Sequence, residues 1–529
     1  MGYPRRVSRL PWFALAASSI LPFGVYTLRS PHPEIAAATA PSPGGRAIII
    51  GGGPNTDHNQ VAIESNVKYV YRLIPEKIRR STLFADGEPD KATVLYVEDV
   101  DRLPFDVKAV ALTLHGNDRD YFDNGKLRAP SIPGGIDGAS SRQNLLRLID
   151  GISSETDVPN SLLLYFTGHG GPLNSNLENN HYDLWGRGGV LSVKELADQI
   201  AHAPVNVPVT VVMAQCYSGS FGNLIFENGD PSNGFVGRDI CGFFATTKER
   251  VAAGCTPELN EADYKDFTSY FFAALSGRDR LGRRVPSADY NRDGKISLDE
   301  AFCYTLIHDE SIDVPVCTSD VFLRHEVKYH IDDLVKTSYS DIKRWASRCQ
   351  RVALDALAAK LSLQGEERYA TAFKMITPVA DQAARRKRGE LANHFKEIRS
   401  ERRAALFGRW PDLKRPGDPS FSVAYAQSLQ YIHDSSKSGD GDGWKELISA
   451  FEALKLADRD SETSENRAAA ALRFVRLCTS ITLAHELMQT GSSAQKERFA
   501  HLQLLEHRTL FESGGKAPSE PQEDPPTAL

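Results

Sequence analysis

SLLLYFTGHGG, residues 161–171, and PVTVVMAQCYSGS, residues 208–220, decide how this chain folds. Each is a short apolar run, β-branched or aromatic, that stops abruptly at small residues. Such runs predict buried parallel strands, because a strand covered on both faces needs apolar side chains at nearly every position. The break after the first run carries His169, and the break after the second carries Cys216. Open α/β sheets expose their chemistry where strands give way to loops. If the strands are neighbours, an imidazole and a thiol enter one crevice, as a cysteine nucleophile with a histidine base requires.

The chain between the two runs suits that arrangement. A Gly/Asn-rich stretch at 170–189 precedes a helix predicted over 192–201, and one crossover helix is what a right-handed parallel unit needs. Upstream, RAIIIGG at 46–52 predicts a strand, and residues 60–73 a helix with Val61, Val67 and Val70 on its apolar side. The intervening GGGPN has neither the GxGxxG nor the Gly-Lys-Ser/Thr spacing, which argues against a nucleotide site. Asp57 and His58 then either face the crevice or cap the helix. Residues 93–97 and 109–114 predict the next strands. The Gly/Asp/Asn/Pro-rich stretch 117–141, which holds Asp118, Arg119 and Asp120, predicts a long loop, and 141–150 a short helix.

These stretches resemble the caspase-like superfamily of cysteine peptidases, and most closely its legumain and glycosylphosphatidylinositol-transamidase branch. The resemblance rests on YFTGHGG around His169, AQCYSGS around Cys216, IIIGGGPNTDHNQVAIE near the start and FFATT at 243–247. It covers roughly residues 46–276. It implies an α/β fold, a caspase-like three-layer sandwich with a mostly parallel central sheet. It also implies Cys216 as nucleophile, His169 as acid–base partner, and the backbone N–H groups of Gly170 and Cys216 as oxyanion donors. Legumain-like enzymes carry an acidic residue immediately after the cysteine, where this chain has Tyr217. Tyr217, Thr246, Thr247, Asp57 and His58 are the substrate-pocket candidates.

A second motif follows. DYNRDGKISLDE, residues 289–300, has the spacing of an EF-hand loop. Its oxygen ligands for Ca²⁺ would be Asp289, Asn291, Asp293, the carbonyl of Lys295, Ser297 and a bidentate Glu300, with Gly294 at the tight turn. A helix is predicted over 298–307. No second loop of this kind occurs, so a structural clamp is expected rather than a sensor.

The rest of the sequence bounds the reading. At 529 residues the chain is long enough for two folded units plus tails, and a net charge of −6 gives no reason to expect nucleic acid. Arg5, Arg6 and Arg9 precede an apolar stretch at 10–28, which reads as an export signal or membrane anchor, and residues 30–45 as a linker. The expected location is therefore exported: periplasmic, extracellular or anchored facing outward. Besides Cys216 there are six cysteines, and the sequence-local pairs Cys241–Cys255 and Cys303–Cys317 are attractive disulfides. From 319 to 510 strand signals fade and helical patterns take over, while residues 511–529 have the composition of a disordered tail. Legumain-like proteins can carry a helical regulatory domain, so this half is expected to cover the crevice, bind a partner or act as scaffold.

The sequence thus predicts a peptidase domain over 46–318 and a mainly helical domain over 319–510. The expected function is a cysteine endopeptidase acting on peptide or protein substrates. A transpeptidase or acyltransferase using the same dyad, and a non-catalytic calcium-dependent binding protein, are the alternatives.

Overall fold

In the computed structural model, residues 44–97, 103–114, 126–155, 158–173, 175–256, 259–376, 382–415, 418–438 and 441–510 are described. The apolar leader at 10–28, the charged residues 118–120 and the tail beyond 510 lie outside them.

Eleven strands are assigned among the described residues: β1 (Arg46–Gly52), β2 (Arg79–Phe84), β3 (Val94–Tyr96), β4 (Lys126–Arg128), β5 (Leu162–Gly168), β6 (Gly170–Gly171), β7 (His181–Asp183), β8 (Val190–Ser192), β9 (Val209–Met213), β10 (Ile240–Phe244) and β11 (Val316–Cys317). Six form the central sheet in the order β11-β10-β9-β5-β1-β2. Every neighbouring pair is parallel except β10 with β11. The continuous apolar runs are thereby explained. Along β1, Ala47 and Ile49 enter one core cluster and Ile48 and Ile50 another, so both faces of the sheet are buried.

Each face has its own helices. On the Ile49 side lie α1 (Val61–Leu73), which starts after Gln60, the helix Phe267–Ser276 and the helix Leu298–His308. On the Ile48 side lie the helix Arg142–Ser153 and the helix Val193–Ala201. Ser192 and Glu195 close a capping box on the latter, satisfying N–H groups that a helix start leaves open. Fully buried Phe166, Phe243 and Phe272 each contribute on the order of 2–3 kcal/mol of apolar burial.

One expectation is corrected, and one strand is added. Residues 109–114 form part of α2 (Phe105–Leu114), not a strand. Ala109, Val110 and Leu112 pack against Phe395, Leu447 and Phe451 in an all-helical cluster, and Thr113 Oγ1 donates back to the Ala109 carbonyl at 2.7 Å. The missing sheet strand is instead Arg79–Phe84, whose charged start lies at the sheet edge and whose last four residues are buried.

The remaining helices, with the four just described numbered α3–α6 in chain order, are α7 (Thr318–Glu326), α8 (Ile331–Lys336), α9 (Tyr339–Trp345), α10 (Arg348–Leu361), α11 (Arg368–Met375), α12 (Gln382–Arg409), α13 (Pro419–Ser438), α14 (Asp442–Thr490) and α15 (Ser493–Glu506). The chain divides into two compact units, but not at a single cut near 318. One comprises Pro43–Glu98, Gly125–Asp381 and Asp460–Leu529, and it contains the central sheet. The other includes Asp99–Asn124 and Gln382–Arg459 and has the α2 cluster as its core. The grouping follows side chains: Phe499 and Leu502 of α15 pack with Ile225 and Phe322, and Phe474 and Cys478 of α14 with Leu354 and Leu357. Helix α14 runs unbroken because no Gly or Pro interrupts residues 444–490. Among the described residues no helix is long and apolar enough to cross a membrane.

All seven cysteines are free thiols. The Cys241–Cys255 pair fails on distance. Cys241 lies level with Leu163 through Thr210, whereas the Cys255 sulfur is 3.4 Å from the Gly168 carbonyl, five residues further along β5. Strand rise makes that roughly 16 Å, against a Cα separation limit of about 7 Å for a disulfide. Cys317 turns its sulfur to Ser319 Oγ at 3.3 Å.

Candidate active site

β5 and β9 are adjacent and parallel, and their last paired positions are Phe166 and Met213. The Ala214 N–H then donates to the Phe166 carbonyl at 2.9 Å, so the two chains leave the sheet together. His169 and Cys216 each stand three residues beyond that level. Gly170 is required where the chains converge: a Cβ there would come within 2.7 Å of the Cys216 carbonyl oxygen. After Cys216 the chain reverses through Tyr217, held in the left-handed region at φ 58°, into the 3₁₀ segment Ser218–Ile225.

The imidazole is anchored on one side. His169 Nε2 lies 2.9 Å from the His58 carbonyl and 2.9 Å from Gln60 Oε1. Two acceptor oxygens place the ring proton on Nε2, leaving Nδ1 as the basic nitrogen of the neutral ring. The His58 ring meets His169 edge to face at 5.9 Å. Burial holds His169 below its ordinary pKa of 6.5, and the neighbouring His58 acts in the same direction.

The thiol is half-buried. The Ala252 N–H donates to Cys216 Sγ at 3.3 Å, and the Ala252 carbonyl lies 3.8 Å away. Burial pushes the thiol above its ordinary value of 9.0, with the charges of Asp313 and Asp183 adding to the rise and the Ala252 amide opposing it. Both members of the pair are consequently neutral around pH 7. The Ala252 segment is itself fixed from beneath. Asp313 Oδ1 accepts from the Ala253 N–H at 2.7 Å and Oδ2 from the Phe267 N–H at 2.9 Å. Buried Arg473 of α14 donates to the carbonyls of Asp309 at 2.6 Å and Ser311 at 2.9 Å, steadying the turn that carries Asp313.

The pocket candidates separate. Tyr217 lines a cavity of about 380 Å³ together with Glu249, Arg250, Val251 and, from α14, Glu465. Asp57, His58, Thr246 and Thr247 do not line it. Asp57 is exposed and its N–H is tied to Asn55 Oδ1 at 3.0 Å. His58 supports His169. Thr246 and Thr247 are buried at the end of β10, and the Thr246 N–H donates to Ser218 Oγ at 3.3 Å.

No family model matches this chain, and no curated protein matches it. Among solved structures it is similar to the crystal structure of protein GSU0716 from Geobacter sulfurreducens. The identity is 14%, over 52% of this chain and 92% of that one, with a TM-score of 0.29. A likeness of that degree carries no argument about fold or function.

The segment 289–300 closes on itself. The Asp289 carboxylate accepts from the N–H groups of Asp293 and Gly294, both at 3.1 Å, and Asp293 Oδ1 accepts from the Lys295 N–H at 2.8 Å. Glu300 reaches back, with Oε1 accepting from the Asn291 N–H at 2.9 Å and Oε2 from the Ser297 N–H at 3.1 Å. Gly294 takes a φ of 83° at the turn. Among the described residues no three His, Cys, Asp or Glu side chains form a metal-holding group. The loop's donor set is all oxygen and includes an amide, a hydroxyl and a carbonyl, the hard donors that suit Ca²⁺.

Sequence reasoning missed Gln60, Ala252 and Asp313. Gln60 was legible only as a helix start, and a backbone amide such as that of Ala252 leaves no trace in residue type. Asp313 is a lone acid whose partners lie far along the chain.

Proposed function

We propose that this chain is a cysteine endopeptidase on a caspase-like three-layer sandwich, with Cys216 as nucleophile and His169 as its acid–base partner. The observation that carries the reading is the β5–β9 register, which brings both residues to adjacent strand ends, with the imidazole anchored, among the described residues, through Nε2. That anchoring supports Nδ1 as the base.

In this reading the Cys216 sulfur bonds to the substrate carbonyl carbon while its proton passes to His169 Nδ1. The carbonyl π electrons move onto oxygen, and the N–H groups of Gly170 and Cys216 stabilise the resulting oxyanion. Collapse breaks the carbon–nitrogen bond, and the leaving amine takes the proton from the imidazolium. Water, activated by neutral His169, releases the acyl group; an amine in its place would yield ligated product. Because thiol and imidazole begin neutral, proton transfer accompanies attack and no preformed ion pair is needed.

The resemblance of residues 289–300 to an EF-hand loop, with its reach-back by Glu300, supports a structural Ca²⁺ held by Asp289, Asn291, Asp293, the Lys295 carbonyl, Ser297 and Glu300. The basic-then-apolar start of the sequence supports export, where calcium is abundant. The hold of Arg473 on the turn carrying Asp313 supports a scaffold role for the second part of α14.

The test is a positional peptide library assayed with the full chain and with Cys216→Ala, alongside labelling by a peptidyl electrophile. Cleavage and labelling that both require Cys216 are expected. Undiminished turnover by the purified alanine variant would overturn the reading, and ligated product in the presence of added amine would redirect it to transpeptidation.

A further inference from the structure

Outside the Cys216 site, two cysteines far apart in sequence come together. Cys303 lies on α6 and Cys349 at the second position of α10, helices that pack on each other. Both are buried, at 3% and 8% exposure, in one cluster with Leu306, Leu354 and Phe474. Cys303 sits one turn beyond Asp299 on the same face of α6, and Cys349 Sγ is 3.9 Å from Asp299 Oδ2. The nearby Cys349 thiol, together with burial, holds the Cys303 thiol well above its ordinary value. Ser347, the N-cap of α10, holds Cys349 Sγ at 3.3 Å from its Oγ, which fixes where that sulfur points.

We propose that Cys303 and Cys349 are a disulfide site, oxidised to a cystine that ties the helix leaving the 289–300 loop to α10. The oxidant is an external disulfide, such as oxidised glutathione or a thiol–disulfide exchange protein. The thiolate of Cys349, the more accessible of the two, attacks one sulfur of that disulfide and expels a thiolate. Cys303 then attacks the mixed disulfide at Cys349, forming the cystine and releasing the second thiol. Two protein S–H bonds and one external S–S bond are exchanged for one protein S–S bond and two external S–H bonds.

This pairing replaces the sequence-local alternative Cys303–Cys317, and it stands independently of the peptidase reading because neither residue touches the Cys216 site. It predicts that the full chain, equilibrated with oxidised and reduced glutathione, yields a Cys303–Cys349 cross-linked peptide in a non-reducing mass map. Denaturing thiol titration should then find two fewer free thiols than the seven of the reduced chain. Reduction should lower the melting temperature by roughly 5 °C, and a Cys303→Ala/Cys349→Ala chain should show no such reduction-dependent shift. A full complement of free thiols after that equilibration, or either residue cross-linked to a different cysteine, overturns the proposal. The wild-type mass map decides the matter even where the double variant fails to fold.

Discussion

The proposed thiol–imidazole crevice and the 289–300 loop make opposite demands on the chain. The crevice joins residues from two strands with a whole crossover between them, and its geometry exists only because β5 and β9 pair in register. The loop assembles from twelve consecutive residues whose own carboxylates and amides close it. A site of the first kind is damaged by anything that shifts one strand end against the other. A site of the second kind is damaged from within, and its loss should leave the sheet standing.

The sharpest separation of the two comes from Cys216→Ala. It should lower kcat about 10⁶-fold, the scale of nucleophile removal in a covalent peptidase, while melting temperature and calcium affinity stay unchanged. Next in size is Asp313→Ala, which leaves the N–H groups of Ala253 and Phe267 without their acceptor. Urea titration should show a loss of about 3 kcal/mol, from two buried donors at ~1–3 kcal/mol each. The folded fraction should also turn over more slowly, because the Ala252 wall of the crevice has lost its support. A variant with full stability would show that the crevice does not depend on this remote prop.

The loop is probed by Glu300→Gln, which keeps a helix-capping side chain but removes a charge. Chelation should destabilise the wild-type chain by about 2.7 kcal/mol when compared with calcium at a hundred times its dissociation constant. The variant should lose most of that difference. A chelator that abolishes turnover without moving the melting temperature would instead tie the loop to the crevice and break the contrast.

Gln60→Ala is the finer test of the crevice. It deletes one of two acceptors on His169 Nε2, and the His58 carbonyl remains, so kcat should fall only about 10-fold, the worth of one hydrogen bond. The smallest effect is in the pH profile. Catalysis needs neutral His169, whose pKa burial holds below 6.5, and a protonated thiol, which burial holds above 9.0. Activity should be flat across neutral pH, falling on the acid side as His169 takes up its proton. An acid limb above pH 6.5 would contradict the neutral pair.

Legibility in the sequence follows the same division. The buried strands at 46–52, 162–168 and 209–213 announced themselves because both faces of each are covered, leaving unbroken apolar runs. The helices predicted over 141–150, 192–201 and 298–307 form at Arg142–Ser153, Val193–Ala201 and Leu298–His308, each preceded by an N-cap serine. The edge strand Arg79–Phe84 was hidden by the two arginines at its exposed end. The run at 109–114 was misleading because an apolar stretch of that length looks alike as strand or helix, and only its packing against Phe395 and Phe451 decided. Of the substrate-pocket candidates, Tyr217 lines a cavity, whereas Thr246 and Thr247 are buried.

By itself, the sequence determined the residue types that can do chemistry, the strands that deliver them, and the contiguous oxygen-rich spacing of residues 289–300. Those are local properties, fixed by side-chain identity and short-range spacing. The tertiary structure alone decided that His169 leans on His58 and Gln60, that Asp313 props the Ala252 wall, and that Cys303 is buried in one cluster with Cys349. Each is a contact between segments brought together by packing, and burial of the whole chain, rather than any short stretch of it, selects such contacts.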